Sequence, residues 1–393
     1  MGDGNSEPCT MPPMKVALVH ELLTMRGGAE RVLKILADMF PDAPIYTLLF
    51  DERKLGDWFP RERIRTSTLQ KHAELINFPF SIFHFPFGFN HHLYLSRFPG
   101  AVEAWDFFDF DLVISSSSAF AHGIITNGKP KHLCYVHSPA RYLWDRTHDV
   151  LERADRGLFG GLKRRHLERV FHDLRLWDAE VADRPDALLA ASKEVQRRIA
   201  LYWRRDSDVV YPPISDFWLE QAPDRGGAEH PYALIVSTLV PYKRIELAIE
   251  ACRRTNTSLK IVGEGPDRAR LKRLTHPLVE FCGYRTQEEL RGIFANASVT
   301  IVPGEEDFNL VALESMACGT PVLSYQSGGP LETIVEGKTG AFFDEPTADS
   351  LSVALRSFKR SDFDSDACRA RAKEFSRERF EKQIGEAIAS LMQ

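Results

Sequence analysis

The chain has neither a long hydrophobic run nor a paired cysteine motif, and these absences exclude several protein classes. No stretch approaches the ~18 consecutive apolar residues that indicate a membrane-spanning helix. The first dozen residues, Met1–Pro12, lack the cationic segment and the apolar core of a secretory signal. Six cysteines are scattered without a Cys-X-X-Cys pair, which favours reduced thiols. We therefore expect a cytoplasmic protein.

An excess of positive charge is also missing. The 393 residues carry a formal net charge of -5, whereas a domain that binds nucleic acid is usually basic. No nucleic-acid partner is expected. The composition, 44% hydrophobic and 27% charged, is typical of a soluble globular enzyme. The length suggests about two domains.

Short apolar runs alternate with helical patterns through both halves of the chain. This alternation predicts an α/β protein with two Rossmann-like domains that face each other across a cleft, with the site at the carboxyl ends of the strands. The predicted strands are Lys15–His20, Asp111–Ser115, Lys131–His137, Ala187–Ala191, Tyr232–Val236, Leu259–Val262, Val279–Cys282, Val299–Val302 and Pro321–Ser324.

The domain boundaries follow from composition and periodicity. A stretch rich in Pro, Gly and charge precedes the second series of strands and indicates a linker. Apolar residues recur at helical spacing near the end of the chain. We expect a disordered tail over 1–13, an N-terminal domain over 14–215, a linker over 216–230, a C-terminal domain over 231–375, and a C-terminal helix over 376–393 that packs back on the N-terminal domain.

Two glutamates, Glu306 and Glu314, lie on either side of a predicted helix start. Glu306 ends a polar loop, and Glu314 lies inside the predicted helix Leu310–Cys318. A helix start offers free N–H groups and a positive dipole end, which suit a phosphate. Carboxylates on both sides of it fit a nucleotide sugar, which has hydroxyls at both ends and phosphate in the middle. The alternative is one solvated loop acid and one surface helix acid.

The residues around these glutamates form a long ordered motif: Glu306-Asp-Phe-Asn-Leu310, Glu314-Ser-Met-Ala-Cys-Gly-Thr-Pro-Val322 and Gly328-Gly-Pro-Leu-Glu332. It resembles the donor-site signature of the family-4 retaining glycosyltransferases of GT-B architecture. The resemblance implies that Glu306 binds sugar hydroxyls and Glu314 ribose hydroxyls. The N–H groups from Phe308 to Leu310 would bind the diphosphate. Asn309 stands where relatives usually carry glycine, and its side chain would narrow the sugar pocket or contact a hydroxyl.

Three more loops of the second half belong to the expected donor site. The loop Ser237–Arg244 resembles the family's phosphate clamp, with Lys243 at the lysine position and Thr238 in place of the usual arginine. Threonine offers one neutral hydrogen bond and no charged fork, so Arg244 or the helix start is expected to compensate. By the same resemblance, Gly263 and Glu264 lie on the nucleotide side, and Tyr284 lies beside the base. Plain strand-to-helix turns are the alternative for the last two loops.

Two motifs of the first half resemble the opposite wall of the family's site. Arg26-Gly-Gly-Ala-Glu-Arg31 places Gly27 and Gly28 between the first strand and the first helix, where glycine permits close backbone approach. It is not the GxGxxG pattern of a dinucleotide site. Tyr135-Val-His137-Ser-Pro-Ala-Arg-Tyr-Leu-Trp-Asp145 resembles the string that carries the family's cleft histidine. We therefore count His137 with Glu306 and Lys243 as catalytic candidates.

No metal and no cofactor are expected. Asp109-Phe-Asp111 and Asp362-Phe-Asp364 match the short DxD pattern, but the first leads into a buried strand and the second lies near the chain end. A strand sends His132 and Cys134 to the face opposite His137, which argues against a shared metal.

The Phe- and Pro-rich segment 76–99 has two interpretations: a buried excursion around the first domain, or a peripheral contact with the cytoplasmic face of the inner membrane. The basic segment 163–169 would support the second by attracting anionic headgroups.

The resemblance implies a retaining hexosyltransferase, most similar to bacterial O-antigen or exopolysaccharide mannosyltransferases. Its substrates would be a nucleotide sugar, with GDP-mannose as the first expectation, and a saccharide or polyprenyl-diphosphate-linked saccharide acceptor. Two alternatives stay open at this point: a nucleotide-sugar epimerase of GT-B shape, and a protein that binds nucleotide sugars without chemistry.

Overall fold

A computed structural model describes residues 14–71, 91–155, 159–220 and 231–393. These residues divide into two compact units. The first unit contains the described residues up to Ala190 together with Arg198–Asp208 and Glu386–Gln393, and the second contains Ala191–Arg197 and Val209–Gly385. The predicted tail (1–13), residues 76–90 of the Phe-rich segment and residues 221–230 of the predicted linker lie outside the described residues.

The first unit is built on a seven-stranded sheet in the order β3-β2-β1-β4-β5-β6-β7. Neighbouring strands from β3 to β6 pair in parallel. The strands are β1 (Val16–Leu23), β2 (Ile45–Phe50), β3 (Ile64–Thr66), β4 (Leu112–Ser117), β5 (Lys131–Val136), β6 (Ala187–Ala190) and β7 (Asp208–Val209).

The second unit is built on a six-stranded parallel sheet in the order β10-β9-β8-β11-β12-β13. Its strands are β8 (Tyr232–Val236), β9 (Ser258–Val262), β10 (Val279–Gly283), β11 (Val299–Val302), β12 (Val322–Tyr325) and β13 (Gly340–Phe343).

Helices connect these strands. In chain order they are α1 (Gly28–Met39), α2 (Glu52–Leu55), α3 (Phe98–Glu103), α4 (Thr147–Ala154), α5 (Gly160–Val181), α6 (Lys193–Arg198), α7 (Asp216–Leu219), α8 (Ile245–Thr255), α9 (Arg268–Lys272), α10 (Gln287–Asn296), α11 (Leu310–Ala317), α12 (Pro330–Thr333), α13 (Ala348–Ser357), α14 (Ser365–Lys373) and α15 (Arg377–Leu391). No helix in the described ranges combines the length and apolarity needed to cross a membrane.

The central strands explain why the sequence forms sheets covered on both faces. Seven of the eight residues of β1 are buried, as expected for a parallel strand with helices on each side. Helix α1 covers one face of the sheet with an amphipathic pattern that buries Val32, Leu33 and Leu36. In the second unit, Leu234 and Ile235 of β8 are buried in two different apolar clusters, one on each face of the sheet. The predicted pair of Rossmann-like domains is confirmed.

Each sheet has one point at which the strand order reverses. In the first unit it lies between β1 and β4, and in the second it lies between β8 and β11. Ligands of doubly wound α/β domains bind beyond the carboxyl ends of the strands at such a point. The loops that carry the candidate residues therefore meet at two defined places, one in each unit.

Two helices lie near the boundaries of the second unit. Residues 216–219, within the expected linker, form helix α7, and Trp218 in it is buried. In α15 the apolar residues Phe380, Ile384 and Ile388 are buried at helical spacing.

Candidate functional site

The second unit joins two of the candidate residues directly. Lys243 follows β8 and Glu306 follows β11, and the lysine Nζ lies 2.7 Å from Oε1 and 2.5 Å from Oε2 of the glutamate. Both side chains are half-buried, at 20% and 15% exposure. Burial alone would lower the pKa of Lys243, but the Glu306 carboxylate raises it above its ordinary value. The pair is therefore a charged, shielded ion pair at the point where the strand order reverses.

Glycines allow the loops around this pair to approach one another closely. A Cβ at Gly304 would lie 2.7 Å from the Tyr242 carbonyl oxygen, and one at Gly328 would lie 2.3 Å from the Glu306 carbonyl oxygen. Gly328 also has a φ of +67°, which favours glycine. The next residue, Gly329, donates its N–H to the Glu306 carbonyl at 2.8 Å. The backbone that carries Glu306 is thus fixed by contacts that no side chain would permit.

Asn309 has a local role that its sequence does not reveal. Its φ is +76°, in the left-handed region that favours glycine and, less strongly, asparagine. Its Oδ1 atom accepts a hydrogen bond of 3.2 Å from the Ala312 N–H, so the side chain caps helix α11. Asparagine suits this position because it both tolerates the left-handed conformation and caps the helix, and the expected contact with the sugar stays a prediction.

The start of α11 keeps donors for a ligand. Within the described part of the chain, no hydrogen bond uses the N–H groups of Leu310 and Val311. Phe308 precedes them, is buried and stacks on Tyr211 with the ring centroids 5.6 Å apart. Ser192 also holds this loop, because its hydroxyl donates to the Asp307 carbonyl at 2.6 Å. The helix start is therefore a fixed set of N–H groups beside the Lys243–Glu306 pair.

Glu314 lies in the same helix as these donors, but it is buried. Its side chain is only 4% exposed, so the alternative of a surface helix acid is wrong. Its neighbour Ser315 is fully buried and donates to Thr320 at 3.0 Å. Burying an acid is costly unless it has polar partners, and Glu314 has such interactions in this structure.

The remaining donor-site candidates line the carboxyl edge of the same sheet. Thr238 is exposed after β8, and Arg244 is exposed with a 3.4 Å hydrogen bond to the Pro346 carbonyl. Gly263 follows β9 with a φ of +127°, and a Cβ there would lie 2.0 Å from the Ser237 carbonyl oxygen. Glu264 forms an exposed ion pair with Arg268 at 3.3 Å. Tyr284, after β10, is 74% exposed.

In the first unit, His137 belongs to a chain of buried polar groups. His137 follows β5, and its Nε2 lies 2.8 Å from the Ser116 hydroxyl on β4. On the other side of Ser116, His20 Nδ1 lies 3.0 Å from the Ser116 carbonyl oxygen and 3.1 Å from its hydroxyl. His20 and Ser116 face each other in register across the point where the strand order reverses. Neither residue was a candidate from the sequence.

Glu21 is a second functional group that the sequence does not reveal. Its Oε1 accepts hydrogen bonds from the N–H groups of Ser118, Ala119 and Phe120 at 2.5, 2.6 and 3.0 Å. Burial alone would raise the pKa of Glu21, but the charge of His20 and these donors lower it. Glu21 therefore remains a carboxylate and fixes the turn after β4. The only available signal was an acid directly after a predicted buried strand.

Gly27 and Gly28 lie where β1 leads into α1, as the sequence predicts. The N–H group of Gly27 is already engaged in a hydrogen bond. The Gly27 N–H donates to Glu30 Oε2 at 2.9 Å, as the capping residue of α1. A Cβ on Gly27 would lie 2.6 Å from that oxygen, which explains the glycine. The other oxygen, Glu30 Oε1, lies 3.8 Å from His20 Nε2. The first loop is thereby connected to the histidine chain.

No group of three or more His, Cys, Asp or Glu side chains suited to a metal occurs in the ranges that the structure describes. The two DxD motifs have local roles: Asp111 accepts the Lys15 N–H at 2.9 Å, and Asp364 caps α14 by accepting the Asp366 N–H at 2.9 Å. His132 bonds to Ser115 at 2.7 Å, on the strand face opposite the Ser116–His137 contact.

The basic segment 163–169 lies on the exposed face of α5. Phe159 and Leu162, just before it, are 71% and 70% exposed. Lys163, Arg165 and Arg169 are exposed as well. Two large apolar side chains and several cations thus share the solvent-exposed N-terminal part of α5.

Comparisons with known proteins relate part of the chain to a known family. Residues 220–378 match the family model described as Glycosyl transferases group 1. A GDP-mannose-dependent alpha-mannosyltransferase from Mycolicibacterium smegmatis is 29% identical over 189 residues, which cover 46% of this chain and 49% of that protein. A putative colanic acid biosynthesis glycosyltransferase, WcaL of Salmonella typhimurium, is 30% identical over 40% of this chain and 44% of its own. The matches thus span about half the length of these curated relatives.

A solved structure covers much more of the chain. The crystal structure of Anabaena Alr3699/HepE in complex with UDP matches with a TM-score of 0.67 at 16% identity, covering 96% of this chain and 100% of that one. At this identity the likeness establishes the fold. Residues 220–378 are therefore a Glycosyl transferases group 1 domain, and the chain has the GT-B fold and resembles polysaccharide mannosyltransferases.

Proposed function

We propose that the protein transfers a hexose from a nucleotide sugar to a saccharide or polyprenyl-diphosphate-linked saccharide, with retention at the anomeric carbon. The observation that carries this proposal is the Lys243–Glu306 ion pair beside the open N–H groups of Leu310 and Val311. A cation and a helix start suit a diphosphate, and a carboxylate next to them suits sugar hydroxyls. Few ligands besides a nucleotide sugar combine these groups at this spacing.

Donor binding would exchange the partners of this ion pair. Lys243 Nζ would turn from Glu306 to the diphosphate, and the Glu306 carboxylate would accept hydrogen bonds from hydroxyls of the sugar. Glu314, one helix turn beyond the N–H donors, would accept from the ribose hydroxyls. As the bond to the anomeric carbon breaks, negative charge grows on the leaving diphosphate. Lys243 and the helix start would bind this charge, and they would therefore stabilise the transition state more strongly than the ground state. This difference lowers the activation barrier.

Thr238 and Arg244 divide the remaining phosphate contacts in this proposal. The Thr238 hydroxyl is exposed and offers a single neutral bond. Among the described residues, the only hydrogen-bond partner of the Arg244 guanidinium is the Pro346 carbonyl, at 3.4 Å. A side-chain rotation would release this long bond. We propose that Arg244 supplies the second cation.

Mannose from GDP-mannose is the proposed donor because curated relatives carry that name, including the Mycolicibacterium smegmatis enzyme. The structural neighbour binds UDP, so the nucleotide is a variable of the test. Retention is proposed from the resemblance to the family-4 retaining glycosyltransferases. In the donor complex the Glu306 carboxylate would be occupied by hydroxyls of the sugar, so we do not assign it the role of a covalent nucleophile. The acceptor hydroxyl would then attack from the side that the diphosphate leaves.

The test is a transfer assay with GDP- and UDP-sugars, first without and then with saccharide or polyprenyl-diphosphate-saccharide acceptors. Release of nucleotide together with a lengthened acceptor is the expected result, and the anomeric configuration of the product reports retention. Activity is expected to persist in EDTA, because protein groups neutralise the diphosphate. Interconversion of donor sugars without acceptor would instead identify an epimerase, and tight binding without turnover would identify a binding protein.

We also propose that the exposed start of α5 contacts an anionic lipid surface. Phe159 and Leu162 are apolar anchors, and Lys163, Arg165 and Arg169 would attract headgroups. The protein should co-sediment with anionic liposomes at low salt and less at high salt. Absence from the pellet at both salt concentrations would refute this contact.

A further inference from the structure

Three side chains at the carboxyl ends of β1, β4 and β5 form a continuous hydrogen-bonded chain. It runs from His20 Nδ1 to Ser116, with contacts of 3.0 Å to the carbonyl and 3.1 Å to the hydroxyl, and from that hydroxyl to His137 Nε2 at 2.8 Å. His20 and Ser116 are buried, whereas His137 is half-buried. Within the described residues, no hydrogen bond reaches His137 Nδ1. This hydrogen-bonded series therefore begins at the buried His20 and ends at His137, whose Nδ1 has no hydrogen-bond partner within the described residues.

The protons of this chain can be assigned by elimination. The Ser116 carbonyl oxygen only accepts hydrogen bonds, so His20 Nδ1 must carry a proton and donate it. This holds whether His20 is neutral or charged. The Ser116 hydroxyl proton therefore cannot be donated to His20. Its other neighbour is His137 Nε2, and donation there requires Nε2 to be unprotonated.

We propose that His20 and Ser116 are positioning residues that hold His137 as the neutral tautomer with its proton on Nδ1. This proposal deepens the proposed function and rests on it for the identity of the ligand. His137 then presents its Nδ1–H as a hydrogen-bond donor to an oxygen of a saccharide substrate. It does not act as a general base, because its lone pair is occupied by Ser116.

The opposite tautomer is disfavoured by the same contacts. If His137 carried its proton on Nε2, it would donate to the Ser116 hydroxyl, and that buried hydroxyl proton would have no acceptor in the described structure. Buried polar hydrogens are rarely left unsatisfied. The tautomer of a histidine is set by the hydrogen bond that its other nitrogen makes. Here that bond comes from Ser116.

Local electrostatics keep His137 neutral. Burial and the neighbouring charge of His20 lower the pKa of His137 to about 3. For His20, burial alone would lower the pKa, but Glu30 and Glu21 raise it above its ordinary value. His20 is the member of the pair that binds a proton first, so His137 keeps a single N–H near neutral pH.

The direct test is nitrogen NMR of the full-length protein labelled with 15N-histidine, with His137 assigned by the signal lost in His137→Asn. We expect a protonated Nδ1 and an unprotonated Nε2 for His137. Ser116→Ala should convert His137 to the other tautomer or to a mixture. Ser115→Ala is the matched control: it removes a hydroxyl bonded to His132 on the opposite strand face and should leave the His137 signals unchanged.

The NMR result decides the proposal independently of activity. A protonated Nε2 in the folded wild-type protein, or His137 signals that do not respond to Ser116→Ala, would overturn it. A protein that transfers no sugar but shows the expected signals would refute the proposed function and leave the tautomer assignment standing. Melting temperatures of all variants confirm that folded protein is compared.

Activity gives a second, graded readout once a donor is known. The asparagine amide nitrogen occupies roughly the position of Nδ1, and the glutamine amide nitrogen that of Nε2. His137→Asn should therefore retain activity within about tenfold, whereas His137→Gln and His137→Ala should lose about a hundredfold, typical for removal of one transition-state donor. Greater activity of the glutamine variant would contradict the donor role of Nδ1.

Discussion

The two units use the same topological position in different chemical ways. Across the reversal point of the first sheet, His20 and Ser116 meet through neutral, buried hydrogen bonds that extend to His137. Across the reversal point of the second sheet, Lys243 and Glu306 form an ion pair beside open backbone N–H groups. At the reversal point of the first sheet, the contacts are made by side chains packed on strands. At the reversal point of the second sheet, they are made by loops that glycines allow to approach closely.

This difference matches two kinds of ligand chemistry. A diphosphate is a concentrated negative charge, which a cation and a helix start can bind. Hydroxyl groups are neutral and directional, so they suit a fixed donor such as the one proposed on His137.

The largest expected effect is at the ion pair. Glu306→Ala should lower sugar transfer by about a thousandfold or more, because it removes the sugar contact and leaves Lys243 shielded without its carboxylate. Transfer rates and donor affinity measured on folded protein test this. Glu250→Ala is the matched control, an acid paired with Arg253 on the exposed surface of α8, and should change the rate less than twofold. Near-normal transfer by Glu306→Ala would contradict the assignment of Glu306 to the donor-sugar site.

The second-largest effect is expected at the glycines that hold the loops around the Lys243–Glu306 pair. Gly328→Ala combines a φ of +67° with a Cβ 2.3 Å from the Glu306 carbonyl oxygen. Gly337→Ala has a similar φ of +72° but meets nothing within 4 Å. The left-handed conformation alone should cost about 1–2 kcal/mol in both. Gly328→Ala should lose about 1–3 kcal/mol more in urea unfolding, together with donor binding. Equal losses would mean that the close approach is unimportant.

A third effect separates the units by their response to acid. Burial lowers the pKa of His132 and of His137 to about 3, from an ordinary value of 6.5. Because the unfolded chain binds these protons near pH 6.5 and the folded chain only near pH 3, stability falls as the pH drops through that window. The lowered pKa of Glu21 acts in the same direction below its ordinary value of 4.5, while the raised pKa of His20 opposes the loss.

The second unit has one histidine in its described part, the half-buried His276. We therefore expect the first unit to lose hydrogen-exchange protection before the second as the pH is lowered from 7 to 4. Mass spectrometry of peptides from each unit measures this. Loss of protection in the second unit first, or in both together, would contradict the electrostatic difference between them.

The smallest effect should be at Asn309. Asn309→Gly keeps the left-handed conformation and loses only the cap on Ala312, which should cost a few tenths of a kcal/mol. Asn309→Ala also meets the conformational penalty and should cost about 1–2 kcal/mol. Denaturant unfolding compares the two. A change of donor sugar in Asn309→Gly would favour the sugar-contact role that the sequence suggested.

Much of the fold could be predicted because its signals are local. Alternating apolar runs and helical patterns predicted nine strands that form in the two sheets, whereas β2, β3, β7 and β13 were not predicted. Helix Leu310–Ala317 lies within one residue of its predicted end. Glu306 and Lys243 were candidates from their motifs, and the structure places them in contact. That contact could not be read from sequence, because the two residues are 63 positions apart and become neighbours only through the pairing of β8 with β11.

His20, Ser116 and Glu21 were missed for a different reason. Each lies inside an apolar or serine-rich strand, where a polar side chain has no local pattern to mark it. Their role arises only when β1 and β4, 96 residues apart at the His20–Ser116 contact, become neighbours. Asn309 shows the reverse case, in which a residue beside the motif suggested ligand contact and the backbone conformation gave it a local role.

The sequence by itself determined the alternating strands and helices, the division into two Rossmann-like domains and the residues of the donor motif, because these depend on periodicity and short spacing. Tertiary structure alone decided which polar groups meet: the Lys243–Glu306 pair, the His20–Ser116–His137 chain and the enclosure of Glu21. The physical reason is that a parallel sheet brings distant strand ends to one edge. Hydrogen bonds and charges there depend on distances of a few ångströms, which sequence spacing does not specify.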